Sequence, residues 1–167
     1  MRNYLLSTLT LLVFIFSIGS QGCDIIKDNE TIKIGALVPL TGDMNKVGAA
    51  MLEALLIAEK DINDSLTAQN SSKQIELVYY DTESSAQTCQ EQLDTLIAQD
   101  LRFIIGPMSS DELSEIKDSI NNSNALLISP SSTSSTLAVA DDNIYRFVSS
   151  DKDMSTAIAE SIWDTNR

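Results

Sequence analysis

Histidine is absent from this chain of 167 residues. With it go the imidazole base of Ser-His-Asp and Cys-His nucleophiles and the commonest zinc ligand, so most hydrolase and metalloprotease chemistries are excluded. Positive charge is scarce: 11 Lys and Arg stand against 24 Asp and Glu, a formal net charge of -13. Binding a phosphate backbone or an anionic lipid headgroup requires stripes of Lys and Arg, and none is present, so nucleic acid is not an expected partner. Neither G-x-x-x-x-G-K-[ST] nor G-x-G-x-x-G occurs, which removes the usual cradles for nucleotide phosphates, and no cofactor or metal is called for. There are two cysteines, Cys23 and Cys89. Cys23 ends an N-terminal leader, which leaves Cys89 without a partner for an internal disulfide. Cys89 falls in a predicted helix with no basic cluster around it, and reads as a small buried hydrophobe rather than a reactive thiol.

The leader itself is legible. Met1-Arg2-Asn3-Tyr4 precedes an apolar stretch from Leu5 to Ile18, followed by Gly19-Ser20-Gln21-Gly22-Cys23. One positive charge, a short apolar run and small residues at the end make an export signal over residues 1–22. The apolar run is short of the ~20 residues that a spanning helix needs. The small residues before Cys23 resemble the lipobox of prokaryotic lipoproteins, although Ser20 stands where that pattern prefers Leu. The resemblance implies that Cys23 becomes the lipid-bearing N-terminus and that residues 23–31 are a polar tether. The expected location is then the cell surface or periplasm, anchored to the membrane through lipid on Cys23.

Beyond the tether, short apolar runs alternate with helical patterns, and 43% of the chain is apolar, enough to bury a core. This alternation predicts an α/β fold: an open parallel sheet with helices on both faces. The predicted strands are 32–38, 74–80, 102–105 and 125–128, with an extended segment at 143–148. The predicted helices are 47–64, 85–98, 109–121 and 151–165, with a polar loop at 63–73. Two runs of small hydroxyl residues follow the third and fourth strands: Gly106-Pro107-Met108-Ser109-Ser110 and Ser129-Pro130-Ser131-Ser132-Thr133-Ser134-Ser135-Thr136. In an open α/β sheet, ligands bind at this edge, where strand ends and helix starts converge.

Ser109 and Glu112 have the spacing of a capping box, which assigns Ser109 to the start of the helix and leaves Ser110 beside the positive end of its dipole. Asp81, with Glu83 nearby, ends the second strand; a turn or capping role accounts for it more simply than a hard cation. Asn-x-Ser/Thr triplets at Asn29, Asn63, Asn70 and Asn121 reflect an Asn/Ser-rich composition.

Ile34-Gly35-Ala36-Leu37-Val38-Pro39-Leu40-Thr41-Gly42, then Gly48, then Ala58 to Asn63, resembles the opening of type I periplasmic binding proteins, the branched-chain amino-acid-binding family of ABC transporters. Tyr80-Asp81-Thr82, Ile105 to Ser110 and Ile128 to Thr133 continue the pattern in order. The resemblance implies that two α/β lobes close over a small amino acid, branched-chain or similar, without chemistry of the protein's own. It also implies that Ser110, Ser132 and Thr133, with Ser109 and Ser131 adjacent, hold the ligand's carboxylate. Short hydroxyl side chains suit this role because they let a carboxylate approach backbone N–H groups as well. Val47 takes the place where the family often supplies an aromatic, just before the glycine matched by Gly48. The same resemblance makes residues 32–148 a first lobe, and 149–167 the hinge exit and first helix of a second lobe that this sequence does not contain. The chain alone is then expected to bind ligand weakly or not at all. The implied partner is an ABC permease in the membrane. A ligand-sensing ectodomain of a receptor is the alternative, and an enzyme on a doubly wound fold is a third class that fold alone does not exclude.

Overall fold

The computed structural model describes residues 30–165. The predicted signal segment, Cys23 and most of the tether lie outside the described residues. Strands β1 (Glu30–Val38), β2 (Lys73–Asp81), β3 (Phe103–Ile105), β4 (Leu126–Ser129) and β5 (Ile144–Arg146) form one sheet in the order β2-β1-β3-β4-β5. Every pairing is parallel. The helices are α1 (Asn45–Ala68), α2 (Ala86–Ala98), α3 (Ser110–Asn121) and α4 (Asp151–Thr165), with a short 3-10 turn at Ser135–Leu137. Among the described residues, no helix is long and apolar enough to cross a membrane.

The two faces of the sheet are covered unequally. Leu37, Ile104 and Leu127 point to one face and form a closed core with Cys89, Leu93 and Leu96 of α2 and Leu113, Ile116 and Ile120 of α3. On the other face, Leu55, Ala58 and Ile62 of α1 lie against Ile34, Ile75, Leu77 and Ile105, which covers β1 and β2. No helix among the described residues extends this cover over β4 and β5. Side chains alternate along a strand, so Phe103 is 53% exposed beside Ile104 at 1%, and Tyr145 of β5 is 58% exposed.

Helix α1 continues to Ala68, past the predicted end at Asp64. The Asn63 side chain explains why a polar stretch stays helical here. Its amide donates to the Ile75 carbonyl at 2.8 Å and its carbonyl accepts from the Ile75 N–H at 2.7 Å, tying the helix to β2. Gly48 is required for the opposite end of α1 to pack, since a Cβ there would run into the Pro39 carbonyl. Helix α4 buries none of its residues; Met154, Ile158 and Ile162 are 50%, 57% and 59% exposed.

Candidate functional site

Because all five strands run parallel, their C-terminal ends share one edge, and two pairs of loops close it. The pair after β1 and β2 is held by one carboxylate. Asp81 Oδ1 accepts from the N–H groups of Leu40 at 2.8 Å, Thr41 at 3.2 Å and Glu83 at 2.8 Å, and Oδ2 accepts from the Thr41 hydroxyl at 2.7 Å. Partial burial opposes the ionised form, but the N–H of Glu83 and the groups of Thr41 and Leu40 outweigh it, holding this carboxyl below the ordinary aspartate range. Ser84 adds a second tie, donating to the Thr41 carbonyl at 2.9 Å and accepting from the Met44 N–H at 3.0 Å. Asp81 is therefore a loop clamp. Among the described residues, no group of three or more His, Cys, Asp or Glu could hold a metal ion.

The loops after β3 and β4 are joined by neutral groups. Gly106 adopts a positive φ of 97°, and a Cβ there would strike the Leu37 carbonyl, so only glycine lets the chain turn off β3 at this point. From there the predicted capping box forms. The Ser109 hydroxyl donates to Glu112 Oε2 at 2.6 Å and accepts from the Glu112 N–H at 3.1 Å, while the Ser109 N–H donates to the same carboxylate oxygen at 3.3 Å. This consumes Ser109 as a donor. It also places the carboxylates of Asp111 and Glu112 in the first turn of α3, so the helix dipole is already matched from within the chain.

The remaining hydroxyls cross between the loops. Ser129 donates to the Pro107 carbonyl at 2.8 Å and Ser131 to the Met108 carbonyl at 2.7 Å. Ser110 and Ser132 pair through their hydroxyl oxygens at 3.0 Å, and Ser110 Oγ also accepts from the Ser134 N–H at 3.3 Å. One hydroxyl proton of that pair is left over. Ser132 is buried at 1% exposure, whereas Ser110 and Thr133 are half-buried. The Thr133 hydroxyl makes no hydrogen bond among the described residues, and its carbonyl accepts from the Asp151 N–H at 2.9 Å.

The structure thus brings Ser109, Ser110, Ser131, Ser132 and Thr133 into one cluster and gives them different tasks. Val47 stands apart from it. It is 48% exposed and lines an apolar groove of about 460 Å³ with Met51, Leu55, Ile105, Met108 and Pro130, on the α1 side of the same loops. Cys89 is buried as expected; burial, and then the charge of Glu112, push its thiol well above the ordinary range, so it stays protonated. Two participants escape a reading of the sequence. Ser129 is one: it stands in the second hydroxyl run, but nothing local shows that its hydroxyl turns to the neighbouring loop. Arg146 is the other: its Nη1 donates to the carbonyls of Ser134 at 2.6 Å and Ser132 at 3.3 Å. A lone arginine in an otherwise uncharged extended segment was the available signal.

A family described as periplasmic binding protein matches residues 31–166. The uncharacterised protein MJ1266 of Methanocaldococcus jannaschii is 31% identical over 140 residues, which are 80% of this chain and 33% of that protein. Among solved structures, the branched-chain amino acid transporter substrate-binding protein LivJ of Streptococcus pneumoniae, in complex with isoleucine, superposes with a TM-score of 0.63 at 25% identity, over 73% of this chain and 35% of that one. A possible leucine/isoleucine/valine-binding protein of Rhodopirellula baltica shares the fold with a TM-score of 0.71 at 15% identity, over 85% of this chain and 38% of the other. The chain spans about a third of the length of these relatives.

Proposed function

The chain belongs to the periplasmic binding protein family, and from that premise we propose that it serves an ABC importer as an extracytoplasmic solute-binding lipoprotein that grips a small amino acid by its carboxylate. The observation that carries this proposal is the state of the hydroxyl cluster. Of its members, Ser110 shares one spare proton with buried Ser132, and Thr133 keeps an uncommitted hydroxyl. Both lie at the carboxyl edge of a parallel sheet, where the fold's ligands bind. Two short donors without a side-chain cation in contact suit one carboxylate, since hydrogen bonds to a charged acceptor are stronger than those to a neutral one. Ser109 and Ser131 act behind them, holding the loops that present the donors.

In this proposal, residues 32–148 form one ligand-binding lobe, and Asp151–Thr165 open another. The exposed apolar residues of α4 support that division, because an apolar stripe on a helix is ordinarily covered. In the same reading the ligand's side chain extends toward the apolar groove that Val47 lines, and as a small aliphatic Val47 leaves that space open. Lipid on Cys23 would keep the protein beside a permease. The ligand itself is taken to be branched-chain or similar, in keeping with the isoleucine bound by LivJ.

The test is a titration of the isotope-labelled chain with L-isoleucine and, separately, with isoleucinamide, which lacks the carboxylate. At the high ligand concentration that weak binding by one lobe requires, amide signals of Ser110 and Thr133 should move with the acid and not with the amide. Thr133→Ala should weaken that response by ~1.5–3 kcal/mol, as expected for a lost hydrogen bond to a charged group, while leaving the melting temperature unchanged. Equal responses to the acid and the amide would overturn the carboxylate assignment.

A further inference from the structure

We infer that Arg146 is a positioning residue of the carboxylate site, holding the second hydroxyl loop by two of its carbonyls and supplying that loop with positive charge; this rests on the carboxylate proposal above. Arg146 pairs in register with Ser129, the residue from which the loop departs. On the same strand, Ile144 packs against the closed core while Tyr145 is exposed. Alternation therefore sends the Arg146 side chain to the closed face of the sheet, beneath the loop, and from there Nη1 reaches the carbonyls of Ser132 and Ser134. These two carbonyls flank Thr133. The bonds fix the backbone on either side of the one uncommitted hydroxyl in the cluster.

The charge is the second part of the inference. The described residues contain one other arginine, Arg102, which is neutralised by Asp100 at 2.7 Å. Arg146 forms no ion pair among the described residues, although the chain as a whole is strongly acidic. It is half-buried, and a guanidinium carries five N–H donors, of which the two carbonyls occupy only those on Nη1. A carbonyl that accepts from a cation is polarised, and its peptide unit presents a more positive N–H on the far side. An unneutralised arginine behind the loop therefore favours an anion in front of it without touching that anion.

Two variants separate the hold from the charge. In the wild-type chain, the Ser134 N–H is protected by its bond to Ser110 Oγ. Arg146→Gln should raise the hydrogen-exchange rate of that amide by about tenfold or more and weaken the L-isoleucine response at Ser110 and Thr133 by a similar factor, the scale of losing a charge-assisted hydrogen bond. It should also narrow the preference for L-isoleucine over isoleucinamide. Arg146→Lys keeps the charge but not the planar fork, so it should retain that preference while the amide exchanges faster than in wild type. Faster exchange in Arg146→Gln with an undiminished preference for the acid would make Arg146 a structural clamp alone and overturn the inference. So would wild-type exchange and affinity in both variants. If the wild-type chain itself fails to prefer the acid, it is the carboxylate proposal that falls; if only the variants behave like wild type, that proposal survives and the role of Arg146 does not.

Discussion

The loops after β1 and β2 and the loops after β3 and β4 close the same edge of one sheet, yet they are fastened by opposite chemistry. The first pair hangs on the Asp81 carboxylate, which accepts four hydrogen bonds. The second pair is stitched by the hydroxyls of Ser110, Ser129, Ser131 and Ser132, with Arg146 bracing the loop after β4. A carboxylate can only accept, so it gathers N–H groups inward and repels an incoming anion. A hydroxyl both donates and accepts, so it can tie one loop to another and still turn a proton outward. Under the proposed function, one sheet edge thus separates fastening from binding without changing its backbone layout.

Removing the first fastening should have the largest effect on folding. Asp81→Ala leaves the N–H groups of Leu40, Thr41 and Glu83 without their acceptor and should cost roughly 2–3 kcal/mol in chemical denaturation, whereas Asp81→Asn, which keeps one acceptor oxygen, should cost less. Acid tests the same clamp more gently. The Asp81 carboxyl lies below its ordinary value in the folded chain, so its stabilisation is complete above about pH 4, the unfolded value, and is lost as pH falls through the lower folded value. Thermal melts of Asp81→Asn should therefore show less loss of stability below pH 4 than wild type; equal acid sensitivity would mean that other carboxylates dominate. On the second pair, Ser109→Ala removes a cap and should cost ~1 kcal/mol, with the L-isoleucine response at Thr133 retained. If Ser109→Ala abolished that response at unchanged stability, the division of labour between Ser109 and Ser110 would be wrong.

Much of the fold is local and could be read locally. The alternation of apolar runs and helical periods marks each strand and helix, and Ser109 with Glu112 announces its capping box through spacing alone. Boundaries shifted where a distant partner decides: α1 runs on to Ala68, held to β2 through Asn63, a residue that in sequence reads as the start of a loop. The site divides in the same way. That hydroxyls gather at one edge follows from their positions after successive strands. Which of them are spent does not, because Ser131 bonds to Met108 and Ser110 to Ser132 across more than twenty positions of sequence. Arg146 was missed for that reason, since the reach of a long side chain across a sheet leaves no periodic trace. The open side of the sheet at Phe103 and Tyr145 was equally hidden, because an apolar residue looks the same in sequence whether or not a helix covers it.

The bond from the Asp151 N–H to the Thr133 carbonyl joins the first residue of α4 to the residue whose hydroxyl we propose as a ligand donor. Mechanically, it makes the helix a lever arm whose fulcrum lies at the second hydroxyl loop. A displacement along the 15 residues of α4 should therefore either carry the Thr133 loop with it or break that one hydrogen bond. A strain gauge placed on that helix, such as a pair of fluorophores at Lys152 and Lys117, would register displacement of the loop.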